Sequence, residues 1–204
     1  MQGEPNMAET TYNVERDLEE VRDMANGLEE YVRGDSVYGS VGGMFAGDQS
    51  LPSLTIGNVL LRLRRLSALS SLLSADQKAA LDAAKAEHDR VRNEWTVHYT
   101  QKASDEVHAR LRSLSTFVGE CEDAPEACAD AYLPEALRRT VVQEIVDAVP
   151  EATQREDLSK SDNTLRALTE ERDFLWDGAL ANIYPQSKFW WLYVQPTGEA
   201  HEEA

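Results

Sequence analysis

Histidines and carboxylates are the residues in this chain that could do chemistry, and their spacing decides which chemistry is open to them. His88, His98 and His108 recur every ten residues. On a helix, ten steps of ~100° leave successive side chains ~80° apart around the axis and ~15 Å apart along it. They cannot converge on one metal ion. His88 falls on an apolar stripe with His98 beside it, a pattern that predicts a hydrogen-bonded core histidine. Glu94 and His98 are four apart and share a helix face. The Glu-x-x-His spacing of helical di-iron sites is absent.

Glu-x-x-Asp occurs at Glu20/Asp23, Glu120/Asp123, Glu144/Asp147 and Glu170/Asp173. Carboxylates so spaced can hold magnesium, which wants several hard oxygen ligands. All-helical nucleotide pyrophosphohydrolases pair such a motif with a Glu-x-x-Glu upstream. The only Glu-x-x-Glu here is Glu199/Glu202, in the tail. The two cysteines, Cys121 and Cys128, lie in CEDAPEAC, where the flanking acids raise a thiol's pKa and disfavour a nucleophile. They read as free thiols of a reducing compartment, with a reversible disulfide geometrically open to them. Two ligands are too few for a zinc site, and there is no Gly-x-Ser-x-Gly elbow. The sequence therefore predicts no catalytic residue, no metal and no cofactor.

The elements that would position these residues are helical. Val14, Leu18, Val21, Ala25, Leu28 and Val32 form a heptad seam, and Gly34 is placed to end that helix. Leucines and isoleucine occupy more than one face of residues 54–73, so this is the expected most buried helix, with Asn58, Arg62 and Arg65 as its wet stripe. Ser74 and Gln77 make a capping box. Beyond them, residues 74–118 contain neither proline nor glycine. One helix, or two stacked end to end, would run ~65 to 70 Å there. A compact body of this size is only ~43 Å across. The seam Leu81, Ala84, His88, Val91, Trp95 changes to steps of four at Tyr99, Ala103, Val107 and Leu111, so a bend is expected near His98 to Ser104. A further helix is expected over Leu133 to Val149, with Pro134 in its first turn, and a polar one over residues 155–173.

Two segments are not helical in pattern. Residues 34–48, GDSVYGSVGGMFAGD, interleave glycines with Tyr38, Val41, Met44 and Phe45, and read as a packed loop or a lid. Residues 174–193 hold seven of the fifteen aromatics, bracketed at their densest by Pro185 and Pro196, and read as an extended clasp across the bundle.

Charge limits the partners. The chain of 204 residues carries 37 acids and 20 bases, a net −17. That disfavours nucleic acid and anionic lipid, which need a basic face. Residues 1–36 carry a net −7 and residues 54–73 a net +3. Either these helices neutralise each other, or the acidic one faces a basic partner. No apolar run reaches the ~18 residues of a membrane span, and the polar start MQGEPNMAET lacks the pattern of a secretion signal. The expected location is cytoplasmic.

The fold expected is all-α: an antiparallel bundle of five or six helices, one much longer than the rest, with an aromatic extended C-terminal segment. Residues 11–196 would form one domain between a disordered tail, 1–10, and a flexible acidic tail, 197–204. The expected function is a non-catalytic interaction or scaffold protein, self-associating through its long helix or binding a protein partner. The alternative is an enzyme or small-ligand binder with the 34–48 loop as lid, a metal-dependent phosphohydrolase being one variant. Tyr38, Met44, Phe45, Trp95, Tyr99, Trp190 and Trp191 are the candidate contact residues.

Overall fold

Helices form where the apolar spacing asked for them. The computed structural model describes residues 12–40, 53–123, 125–153 and 155–197. Among these are six helices: α1 (Val14–Arg33), α2 (Ile56–Ala68), α3 (Ala75–Glu94), α4 (Thr96–Asp123), α5 (Pro125–Ala148) and α6 (Arg155–Ala167). The protein is all-α apart from one small antiparallel ribbon, β1 (Thr169–Glu171) with β2 (Val194–Pro196). Asn13 caps α1, Thr55 caps α2, and Ser74 and Gln77 close the expected capping box on α3.

α2 sits at the centre, against α1 on one side and α5 on another, with α4 across its N-terminal end. Its expected wet stripe is wrong in part. Arg62 and Arg65 are buried, while Asn58 is half-buried. The arginines point into the seam with α1, where Glu20 and Asp17 receive them. The expected neutralisation of α1 by α2 therefore takes place inside the protein.

The long segment is two helices, α3 and α4, joined at Trp95 rather than beyond His98. Trp95 leaves helical geometry at φ −113° and ψ 36°. The bend has a physical signature. His88 and Tyr99 would lie ~16 Å apart along a straight helix, yet their rings are 5.7 Å apart and His88 Nε2 meets the Tyr99 hydroxyl at 2.8 Å. The seam is covered within the chain: Leu81, Ala84, His88, Val91, Tyr99, Ala103, Val107, Leu114 and Val118 are all buried. α3 packs chiefly on α1, and α4 on α5.

Three further expectations need correction. α5 begins at Pro125, so Pro134 stands inside the helix instead of at its start. Pro134 is exposed there, and so is Asp130, whose carbonyl loses its amide partner. Cys121 and Cys128 are joined as a disulfide, not free, because the last turn of α4 and the first of α5 face each other across a tight joint. Phe117 stacks on Tyr132 one turn further in, in the same antiparallel register. Finally, α6 stops at Ala167, and the chain turns into β1 where a helix was expected to residue 173.

Glu106 fixes the start of α2. It is fully buried, accepts a hydrogen bond from the Gly57 backbone N–H at 3.0 Å, and is held by Arg110 Nε at 2.8 Å. A carboxylate at a helix N-terminus answers both the orphan N–H groups and the helix dipole. The contact requires glycine: a Cβ at Gly57 would lie 2.2 Å from Val141 Cγ1 and 2.8 Å from Glu106 Oε1. Gly57→Ala is expected to destabilise by ~3 kcal/mol or more through overpacking. Gly119→Ala in α4, where a Cβ meets nothing within 4 Å, is expected to stabilise by ~0.5 to 1 kcal/mol. Urea unfolding of the two variants checks both signs.

Candidate functional site

The seven candidate residues separate once the chain is folded. Met44 and Phe45 lie outside the described residues. Tyr99 and Trp191 are interior, each about 1% exposed, and as they stand neither presents surface to a partner. Trp191 donates its indole N–H to Thr140 Oγ1 at 2.9 Å, and Arg139 stacks on its ring at 4.0 Å. Trp190 is half-buried under Arg166 at 3.7 Å. These two tryptophans pack on α5 and α6. Tyr38 and Trp95 remain near the C-terminal end of α1: Tyr38 is 48% exposed, and Trp95 is half-buried with Arg33 over its ring at 4.8 Å.

That end of α1 carries a cleft. It encloses about 620 Å³ and is lined by Asp23, Asn26, Glu30, Tyr31, Asp35 and Ser36, with Gly39, Ser40 and Leu54 beyond. Local chemistry builds its far wall. Gly39 pairs with Leu54 backbone to backbone at 2.9 Å in both directions. The Tyr31 hydroxyl donates to the Val37 carbonyl at 2.7 Å, and Lys102 from α4 donates to the Ser36 carbonyl. Lys102 also lies 5.1 Å from the centre of the Tyr31 ring. The turn after α1 is thus tied to α4 and to the segment that enters α2. Three carboxylates, Asp23, Glu30 and Asp35, line the opening, and among the described residues of its lining none is basic.

Among the described residues, the cleft's lining sets no nucleophile against a base. Its one strongly perturbed group is Tyr31, which burial and the nearby Glu106 push far up, so its hydroxyl stays protonated. Among the described residues no group of three His, Cys, Asp or Glu is placed to hold a metal ion. His88 is the buried, hydrogen-bonded histidine its position suggested: burial lowers its pKa, and its two nitrogens meet Asp89 and Tyr99. His98 is exposed instead of lying beside it, edge-on to Trp95, and Glu94 is bonded to Arg90.

The buried perturbed carboxylates lie elsewhere, where α1, α2, α5 and the aromatic clasp meet. Burial pushes Asp17 upward against the pull of Arg65 and Arg62. Glu20 is driven up by burial as well, but Arg62 and Arg16 outweigh it and hold it below its usual range. Burial pushes Glu144 up to about 7 in spite of Arg64. The matched spacing was available in the sequence: Asp17/Glu20 and Arg62/Arg65 are each three apart. Two antiparallel helices with those intervals pair residue for residue.

Comparison with known protein families, curated proteins and solved structures found no match to this chain.

The burial of the two tryptophans sets an order of effects. Trp191→Ala is expected to cost ~3 to 5 kcal/mol, and Trp95→Ala, with part of its ring already in water, ~1.5 to 2.5 kcal/mol. Chemical denaturation of the two variants side by side tests the ranking.

Proposed function

We propose that the protein is a non-catalytic helical interaction module that takes a basic segment of a protein partner in the acidic cleft at the end of α1. The observation carrying this reading is where the charge lies. Among the described residues, burial removes five acids (Asp17, Glu20, Glu106, Glu135, Glu144) and five bases (Arg62, Arg65, Lys102, Arg110, Arg139). Counted by residue type, buried acids and bases are thus equal in number among the described residues, in a chain whose net charge is −17. A cleft lined by carboxylates, beside the exposed Tyr38 ring, suits lysine and arginine side chains and the cation–π contacts they make.

Self-association through the long helix has less to support it than a different partner does. The seam that would have paired two copies is covered by α1 and α5, so a dimer would need another face. The enzyme alternative would need convergent polar groups under the 34–48 loop. The described part of the cleft offers carboxylates, amide and hydroxyl groups, with no nucleophile set against a base. As to location, no helix among the described residues is long and apolar enough to cross a membrane. The Cys121–Cys128 bond weighs against a cytoplasmic setting, since disulfides persist mainly in oxidising surroundings.

Titration of the intact chain with a short synthetic Lys/Arg-rich peptide, set against a Glu-rich counterpart, tests the proposal. Binding of the basic peptide alone is expected, weakening as salt rises. Asp23→Asn/Glu30→Gln/Asp35→Asn is expected to lower the affinity about tenfold. Glu156→Gln/Asp157→Asn on α6 removes two negative charges elsewhere and is expected to leave the affinity nearly unchanged. Equal losses from both variants would reduce the effect to overall charge and remove the cleft from the account.

A further inference from the structure

Three buried polar atoms have no hydrogen-bond partner where the C-terminal aromatic clasp closes on the bundle: Arg65 Nε, Glu144 Oε1 and the Tyr184 hydroxyl. All three residues are more than nine-tenths buried, Tyr184 completely. Such atoms are rare in folded proteins and expensive to leave unmet. The other oxygen of Glu144 is used, accepting from Arg64 Nε at 2.6 Å. Arg64 Nη2 continues to Asp147 at 2.7 Å, and Asp147 receives Lys188 of the clasp at 2.6 Å. The clasp lies over this chain of charges. Tyr184 stacks on Trp176, whose other contact is Arg65 at 5.1 Å, and Phe189 sits against Arg64 at 5.5 Å.

We propose that Glu144 is a proton-controlled latch on the C-terminal clasp: with its carboxyl neutral, residues 184–192 lie closed on α2 and α5, and with its carboxylate ionised they loosen to let water reach it. This goes beyond binding at the α1 cleft and does not depend on it. The groups that act on the latch come from every element around it. They are Arg64 and Arg65 from α2, Asp147 from α5 itself, Tyr184 and Lys188 from the clasp, and Asp17 from α1 through Arg65 and Tyr184.

A neutral carboxyl suits this site because one of its oxygens has no donor to meet. Protonation removes the charge from the carboxyl whose second oxygen meets no donor. An ionised carboxylate there keeps Arg64 but leaves its second oxygen dry and unpaired. Burial has pushed the Glu144 carboxyl up to about 7 in the closed form. A loosened clasp would return it toward the ordinary glutamate value near ~4.3. Between those two values the closed form holds a proton that the loosened form has lost. Closure is therefore strongest at acid pH and is lost as pH rises, levelling off above the closed-form value. The buried His88 sits on α3 against Tyr99 and Asp89, and its lowered pKa acts in the opposite sense.

Amide hydrogen exchange of the full-length protein, normalised for intrinsic rates, reads the latch directly. The clasp amides of Phe189, Leu192 and Tyr193 bond to Pro185, Phe189 and Trp190 carbonyls, and the amides of α1 and α4 serve as internal references. Opening of the clasp is expected to rise on the order of 50-fold from pH 5 to pH 8, while the reference amides change much less. In Glu144→Gln the rise is expected to vanish. In Asp17→Asn, which removes the other carboxyl raised by burial, it is expected to persist. A clasp protected equally at pH 5 and pH 8 in the wild type overturns the latch, and this result stands even if the glutamine variant does not fold. So does a rise that survives in Glu144→Gln, one lost only in Asp17→Asn, or one shared equally by the reference amides.

Discussion

A basic helix has to be placed inside an acidic protein, and the remaining helices are arranged by that requirement. α2 carries Arg62, Arg64 and Arg65 and no acid. It is also the helix that touches both halves of the bundle. Each arginine needs a carboxylate where it lands, because a guanidinium taken out of water without a partner costs several kcal/mol. α1 supplies Glu20 to Arg62 and Asp17 to Arg65, and α5 supplies Glu144 and Asp147 to Arg64. α4 adds Glu106 beneath the first turn of α2. Four points of charge thus fix the register of three helices around one. Such pairs do little for net stability, since desolvation offsets much of their attraction. Their contribution is to register: α1 slid by one turn would leave two arginines and two acids buried and unmatched.

This interior arrangement governs what the outside can do. Among the described residues the buried acids are matched in number by buried bases, so the interior takes up little of the chain's acid excess. Because the bend at Trp95 lets α3 follow α1 and α4 follow α5, the apolar seam of the long segment is used up within the chain. A rod that would overhang its own body is folded along it. An acidic cleft is left where α1 ends, Gly39 pairs with Leu54 and Tyr38 stands out.

Much of the fold was legible because it is periodic. The heptad of α1 and the seam from Leu81 to Val118 name many of the apolar positions buried there, though not Met24, Tyr31 or Phe117. Ser74 with Gln77 starts α3 by local chemistry alone. What could not be read was tertiary in origin. Arg62 and Arg65 looked wet because charge usually faces water; only the presence of Asp17 and Glu20 at the same interval on a neighbouring helix reverses that. Pro134 looked like a helix start because proline favours the first turn, yet residues 125–133 helix ahead of it once the disulfide anchors their beginning. The three-residue strands at Thr169 and Val194 are too short to show alternation. Of the candidate contact residues, Tyr99 and Trp191 lie in the interior, since an aromatic's composition does not say which way its neighbours close. The cleft itself had no signature, being made where a helix end meets a distant strand-like pairing.

The ladder between α1 and α2 can be measured by a double-mutant cycle on its best-formed rung, Arg62 with Glu20. Urea unfolding would be compared for Arg62→Met, Glu20→Leu and the two together. If buried charge sets the docking of α1, Arg62→Met alone loses ~3 kcal/mol by leaving buried Glu20 with only the more exposed Arg16, and the double variant recovers most of that loss. If the two losses simply add, to within ~0.5 kcal/mol, the rung carries no coupling and the account of the fold built on it is contradicted.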